Sequence, residues 1–173
     1  MCRRIILSGV HGVGKGHFIK NKLDHVGNLT VISASEIIGK YHDAEDAGNK
    51  RVNDVESNQK LLLEDLKKFF EMHEETVLLD GHLVILDAND NIKQIPASFF
   101  EKGMIDTIIL LQDEAHLIYD RLYARDGIHK LEMNLIEQIQ KKEKEYAMEL
   151  ERQGIKVRII NPFSEESSYI DLF

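Results

Sequence analysis

A glycine-rich stretch near the start of the chain is the first candidate for chemistry. It reads GVHGVGKGH and follows a short apolar run. Its backbone N–H groups can turn inward around an anion, because glycines leave the approach open. A helix that begins behind the loop directs its positive end to the same place. The residues predicted to bind the phosphates of a nucleotide are Gly9, Gly12, Val13, Gly14, Lys15, Gly16 and His17.

Gly16 departs from the common pattern GxxxxGK[ST]. In that pattern the serine or threonine hydroxyl binds magnesium, and Gly16 has none. We therefore expect Mg²⁺ to be held by nucleotide phosphates and water molecules.

A carboxylate and a histidine follow a second buried run, TVLLDGH. Asp80 ends this predicted strand, where a carboxylate is costly unless it holds a cation or the water ligands of one. We expect Asp80 to orient magnesium through water. His82 projects to the same side if the strand continues, and it either hydrogen-bonds an acceptor or packs inside the protein.

Phosphoryl transfer depends on positioning and on neutralising charge, so cations are the catalytic residues to find. The candidates are Lys15, Arg51, Arg121 and Arg125. The last two lie one helical turn apart and can project from a closing flap. The alternative for this pair is a surface salt bridge to a neighbouring aspartate.

Arg51 lies in a polar stretch, residues 42–54. A guanidinium suits a phosphate better than an ammonium does. The alternatives are a solvated loop arginine, or Lys50 in the same role. We expect this stretch, and residues 121–130, to be mobile without ligand.

Strands that alternate with helices must position these residues. Apolar runs predict five strands, at 3–7, 30–33, 76–80, 106–112 and 155–160. Helical spacing predicts helices at 18–26, 36–41, 55–70, from Asp113, and along a long charged segment that stops at Gly154. A turn signal within LVILDANDNIKQI predicts a hairpin. The pattern indicates one α/β domain with a mostly parallel sheet and helices on both faces.

The composition of the chain argues against several classes of function. The chain has 173 residues and a formal net charge of −8, which argues against a nucleic-acid surface. The single cysteine, Cys2, forms no internal disulfide, and no apolar run is long enough to span a membrane. These features favour the cytoplasm. The charged runs at 64–75 and 141–145 are interpreted as solvated helix faces.

The glycine-rich segment RIILSGVHGVGKGHFI resembles the opening of adenylate kinases, whose loop commonly runs GxPGxGKGT. A glycine after the lysine is normal in that family, so the resemblance explains Gly16. His11 stands in place of the usual proline, and His17 in place of a threonine that touches a nucleotide phosphate. We interpret both histidines as solvated or packed side chains.

Three later motifs extend the resemblance in the same order along the chain. They are LLDGH at 78–82, DRLYARD at 120–126 and KEKEYAMELERQGIKVRIIN at 142–161. They are similar to the nucleoside monophosphate kinase superfamily, above all to short adenylate kinases of the archaeal type. The FPR arginine and the long lid insertion of bacterial adenylate kinases are absent.

The resemblance implies a three-layer α/β/α P-loop kinase fold, with a five-stranded parallel sheet and a short lid at 121–130. It implies Mg²⁺-assisted transfer of the ATP γ-phosphoryl group to a nucleoside monophosphate or another small phosphate acceptor. Arg121 would cover the donor base, Arg125 would grip phosphates, and Asn161 would contact the nucleotide. Arg51, His82 and Ser35 would bind the acceptor, on a segment at about 33–73.

Two other functions remain open at this point. One is a small-molecule kinase with a hydroxyl acceptor, which would use Asp80 as a general base. The other is a non-catalytic module that binds ATP as a switch. The loss of the threonine hydroxyl at His17 and the short lid favour this last alternative.

Overall fold

A five-stranded parallel sheet forms the centre of the computed structural model, which describes residues 3–41, 55–87, 89–127, 131–165, 169, 171 and 173. The strands of this sheet are β1 (Arg4–Ser8), β2 (Leu29–Ser33), β3 (Thr76–Asp80), β6 (Thr107–Leu111) and β7 (Lys156–Ile160). Their order is β2-β3-β1-β6-β7. Two short strands, β4 (Val84–Leu86) and β5 (Ile92–Gln94), form a separate antiparallel pair. The predicted parallel α/β sheet and its hairpin are confirmed.

Helices connect the strands. They are α1 (Lys15–Lys22), α2 (Ala34–Tyr41), α3 (Val55–Met72), α4 (Ala115–Asp126) and α5 (Met133–Arg152), with a short 3₁₀ helix at Ala97–Phe100. Within the described residues, none of these helices is both long and apolar enough to cross a membrane.

Side chains of the central strands enter two cores, one on each face of the sheet. On β1, Ile6 joins one core, whereas Ile5 and Leu7 join the other. This alternation explains why the strand reads as a continuous apolar run, since both of its faces are covered. Helix α5 contributes to both cores, with Ile139 in one and Tyr146 in the other.

Predicted helix boundaries differ from the observed ones by a few residues. Helix α1 ends at Lys22, because the Leu23 amide closes the last turn onto Ile19, so Val26 lies beyond it. Helix α4 begins at Ala115 rather than Asp113. Helix α5 ends at Arg152, and Gly154 follows its C-cap with a positive φ of 101°. Glycine is favoured there because it adopts this conformation without strain.

The charged runs at 64–75 and 141–145 are not wholly solvated, which corrects their interpretation. Asp65 and Glu143 are both buried. Glu143 lies four residues after Ile139 and three before Tyr146, so helical geometry turns it toward the core. Helical position, and not the density of charge, decides which residues of such a run meet solvent.

The carboxyl ends of the parallel strands meet at one edge of the sheet. The glycine-rich loop follows β1, Asp80 ends β3, Asp113 follows β6 and Asn161 follows β7. In open α/β sheets this edge is where ligands bind. The predicted residues Lys50 and Arg51, and the end of the predicted lid at 128–130, lie outside the described residues.

Candidate active site

The loop between β1 and α1, residues 9–14, has the backbone of a phosphate-binding loop. Gly9 has a φ of +151°, and a Cβ atom there would lie 2.8 Å from the Leu111 carbonyl oxygen. Gly14 has a φ of +113° and immediately precedes α1. Because Gly14 supplies no side-chain cap, the first amides of the helix stay available to an anion.

Gly16 differs from these glycines, because no atom lies within 4 Å of where its Cβ would be. Gly16 is exposed to solvent in the first turn of α1. The fold therefore has room for a serine side chain at this position, so steric crowding does not explain why the hydroxyl is missing.

Lys15 connects the loop to the end of β3. Its Nζ donates to the Gly81 carbonyl at 3.0 Å and lies 3.2 Å from Asp80 Oδ1. The Lys15 side chain is 13% exposed and that of Asp80 is 31% exposed. Burial lowers the pKa of Lys15, and the Asp80 carboxylate acts in the opposite direction. The predicted catalytic pair is thus brought into direct contact.

His82 completes this contact, since its Nε2 lies 3.1 Å from Lys15 Nζ. Burial, followed by the charge of Lys15, lowers the pKa of His82 to about 3. The ring is therefore neutral near pH 7, and Nε2 accepts the hydrogen bond from Lys15. The His11 ring packs on that of His82, with 4.7 Å between centroids. His82 thus packs against His11 and hydrogen-bonds Lys15, while a hydrogen bond from His82 to an acceptor stays a prediction.

A cavity of about 430 Å³ opens beside these residues. Its polar lining includes Lys15, Asp80, His82, Ser35 and Gln59. Apolar side chains form the rest of the wall, among them Leu79 and Phe99. A few polar groups in an apolar cavity of this size are typical of small-molecule sites.

A second group of predicted residues contacts the loop at Gly12. Arg121 donates through Nε to the Gly12 carbonyl at 3.0 Å, and through Nη2 to Asp113 Oδ2 at 2.8 Å. Asn161 Nδ2 donates to the other oxygen of Asp113 at 2.8 Å. Asp113 therefore brings together two residues that are 40 positions apart in the sequence.

Phe163 lies against this second group. The Arg121 guanidinium carbon lies 4.6 Å from the centroid of the Phe163 ring. The centroids of the His17 and Phe163 rings are 4.7 Å apart. Phe163 is 45% exposed. An exposed aromatic ring beside an arginine offers a flat surface on which a base can stack.

Arg125 lies apart from both groups. Its guanidinium forms a bidentate pair with the adjacent Asp126, at 2.8 and 2.9 Å, and its side chain is 59% exposed. Its charge still contributes to the lowered pKa of His11. The salt bridge offered as the alternative for this arginine is present here, and its role in transfer stays a prediction.

Comparison with known proteins identifies the family. A family model described as "AAA domain" matches residues 8–140, which is most of the chain. The chain belongs to this family. A gluconokinase from Sinorhizobium meliloti 1021 is similar in structure, with a TM-score of 0.54 and 13% identity, covering 94% of this chain and 83% of that one. No curated protein matches in sequence. The predicted P-loop kinase-type fold is confirmed.

The family match covers most of the candidate site of this AAA domain, from Ser8 to Gln140. Asn161 and Phe163 follow it and reach the site through the last strand. Asp113 and Phe163 were not predicted from the sequence as site residues. Asp113 carried a usable signal, because it is a carboxylate just after a buried strand, as Asp80 is. Phe163 carried none, since one aromatic residue after a strand belongs to no motif.

Proposed function

We propose that this protein is an ATP-dependent kinase that transfers the γ-phosphoryl group to a nucleoside monophosphate. One observation carries the proposal: the P-loop lysine contacts the carboxylate that ends β3, at the mouth of a cavity large enough for a second substrate. Transfer to a monophosphate needs two anionic substrates held end to end around such a cation. The acceptor would occupy the cavity, and the donor base would lie by Arg121.

Each side chain then has a separate task. Lys15 moves from Gly81 and His82 to the outer phosphates, where it neutralises developing charge. The neutral His82 receives no proton and holds Lys15 until the nucleotide binds. Arg121 and Phe163 hold the donor base, and Asn161 keeps Asp113 oriented toward Arg121. Ser35 and Arg51 bind the acceptor.

Magnesium fits this site only together with the nucleotide. Among the described residues, no group of three histidine, cysteine or acidic side chains could hold a metal ion. Asp80 is half-exposed at the cavity and can orient water ligands of an ion held by phosphates. When bound, Mg²⁺ would supply charge neutralisation on the transferring phosphoryl group.

A hydroxyl-acceptor kinase is the second candidate, and the position of Asp80 favours it. A carboxylate on the cavity wall is placed as a general base for a hydroxyl. A monophosphate oxygen is already ionised and needs no base. In this structure Asp80 Oδ1 lies 3.2 Å from Lys15 Nζ, so a hydroxyl acceptor would have to compete with Lys15 for this oxygen.

ADP formation measured with a panel of acceptors separates the candidates. Nucleoside monophosphates and polyhydroxy compounds are each added to the protein with MgATP, beside an ATP-binding titration. Stimulation by a monophosphate supports the proposal. Stimulation by hydroxyl compounds alone supports the second candidate, and ATP binding without any stimulation indicates a non-catalytic module.

A further inference from the structure

A buried carboxyl group lies behind the P-loop and has no place in the mechanism above. Glu143 on α5 is 0% exposed. Its Oε1 accepts a hydrogen bond from the hydroxyl of Ser8 at 2.8 Å. Ser8 is the last residue of β1, is itself fully buried, and directly precedes the loop.

The Ser8 hydroxyl links three parts of the site. The Ser8 oxygen accepts a hydrogen bond from the Leu83 amide at 2.7 Å. The hydroxyl therefore donates its own proton to Glu143. Leu83 is next to His82, which contacts Lys15. A chain of two hydrogen bonds thus joins α5, the start of the P-loop and the segment that follows β3.

The other oxygen, Glu143 Oε2, is buried and has no hydrogen-bond partner in the part of the chain that the structure describes. Leaving such an atom unpaired costs stability, which an apolar side chain would avoid. Oε2 can hold a proton while Oε1 keeps its bond to Ser8. A carboxyl group at this position can therefore change its protonation state without losing its bond to Ser8.

The surroundings of Glu143 set the pH range in which its carboxyl group gains or loses a proton. Burial raises its pKa to about 7, while Ser8, the charge of Lys15 and the nearby amides oppose the rise. His11 and His82 are neutral near pH 7 because their pKa values are lowered. Charged groups near the P-loop include Lys15, Asp80 and Arg125. Arg121 and Asp113 pair with each other where Arg121 meets the Gly12 carbonyl. Lys142 and Lys144, on the same helix as Glu143, face solvent.

We propose that Glu143 is a positioning residue of the P-loop that takes up one proton from solvent when a polyphosphate fills the loop. The inference rests on the proposed function, because it requires ATP at Lys15. Phosphates that engage Lys15 remove its stabilising charge from the carboxylate and add negative charge nearby. The carboxylate then becomes a neutral acid on Oε2, and the same proton returns to solvent when the nucleotide leaves.

This linkage makes nucleotide affinity depend on pH. If binding raises the pKa of Glu143 by about one unit, about half a proton is taken up per nucleotide at pH 7.5. The affinity for MgATP then falls by up to about tenfold as the pH rises from 6 to 9. Glu143→Gln keeps the shape and the acceptor for Ser8 but cannot take up a proton.

Titration calorimetry with MgATP tests the proposal. Binding heats are measured at pH 7.5 in two buffers of different ionisation enthalpy, and their difference gives the number of protons taken up. The wild type should take up about half a proton and Glu143→Gln none. Glu137→Gln, on the exposed side of the same helix, is the matched control and should behave as the wild type.

Ser8→Ala tests the same point should Glu143→Gln fail to fold. It keeps the ionisable group but removes the hydrogen bond that lowers its pKa, so proton uptake should move to higher pH. Wild-type binding without proton uptake, or equal uptake by Glu143→Gln, would overturn this inference and leave the kinase proposal standing. Failure of the wild type to bind MgATP would overturn both.

Discussion

At the scale of single residues, the candidate site is organised by contacts that hold cations in place. Lys15, which directly follows the P-loop, is paired with Asp80, and Arg121, which donates to the Gly12 carbonyl, is paired with Asp113. Paired charges near a cavity are oriented before a ligand arrives, which reduces the reorganisation needed during catalysis. Arg125 is exposed and pairs with its neighbour Asp126, and we expect it to change partner on ligand binding.

The two arginines of α4 should respond differently to truncation. Arg125→Ala should reduce phosphoryl transfer about a hundredfold with little change in ATP affinity, because its contact forms only at the transition state. Arg121→Ala should mainly weaken ATP binding, since it lies by the Phe163 ring and the Gly12 carbonyl. Steady-state kinetics and ATP titration of both variants measure this. If the two effects are exchanged, the two roles are exchanged as well.

Gly16→Ser tests the missing hydroxyl. The open space at this position predicts that the variant folds as the wild type does. Serine also restores a ligand for magnesium, so the Mg²⁺ concentration needed for half-maximal nucleotide binding should fall several-fold. Nucleotide titrations at a series of Mg²⁺ concentrations provide the measurement. An unchanged or higher Mg²⁺ requirement in Gly16→Ser would contradict the expected geometry of the loop.

At the scale of elements, α4 links the two halves of the site. It begins just after the β6 carboxylate Asp113, passes the P-loop at Arg121 and ends at Gly127 with a positive φ of 70°. Its last turn carries the exposed Arg125. A helix end with few buried contacts can open locally at low cost, so this turn is the described part of the predicted lid.

Hydrogen exchange should report closure of this helix end. Amides of residues 121–127 should exchange more slowly when a dinucleotide that spans both substrate sites is added, because the ligand ties Arg121 and Arg125 to phosphates. Exchange at β1, in the core of the sheet, serves as the internal control and should not change. Unchanged exchange at 121–127 with saturating ligand would argue against a lid there.

Some features of the fold could be predicted from local sequence patterns, and others could not. The five strands were predicted because each is an apolar run that ends at a glycine or a polar residue. Lys15, Asp80 and His82 were predicted together because parallel strands end at one edge. The Ser8–Glu143 bond joins residues 135 positions apart, and no local pattern encodes it. The predicted positions of the helix ends were less accurate, because the last turn of a helix depends on individual backbone hydrogen bonds.

At the scale of the whole molecule, α5 crosses from one core to the other, and Glu143 lies at the crossing between Ile139 and Tyr146. The long helix therefore places a carboxyl group between both cores and the P-loop. Such a group links the stability of the entire fold to pH. Its pKa is raised from 4.5 to about 7, chiefly by burial.

Glu143→Gln should change the pH dependence of stability. A raised pKa means that the folded state holds a proton which the unfolded state releases above pH 4.5. The stability linked to this proton is complete below pH 4.5 and is lost as the pH rises to about 7. The full loss is roughly 3 kcal/mol, and the variant should not show it. Denaturant unfolding of both proteins from pH 4 to 8 measures the difference; parallel curves would contradict it.

Transfer of label from γ-phosphate-labelled ATP tests the central claim most directly. The protein is incubated with MgATP and each nucleoside monophosphate in turn, with Lys15→Met as the control, and the labelled products are separated. We predict that at least one monophosphate becomes a labelled diphosphate, at a rate at least about a hundredfold above that of Lys15→Met. Label that stays on ATP or appears only as free phosphate with every monophosphate would contradict the account.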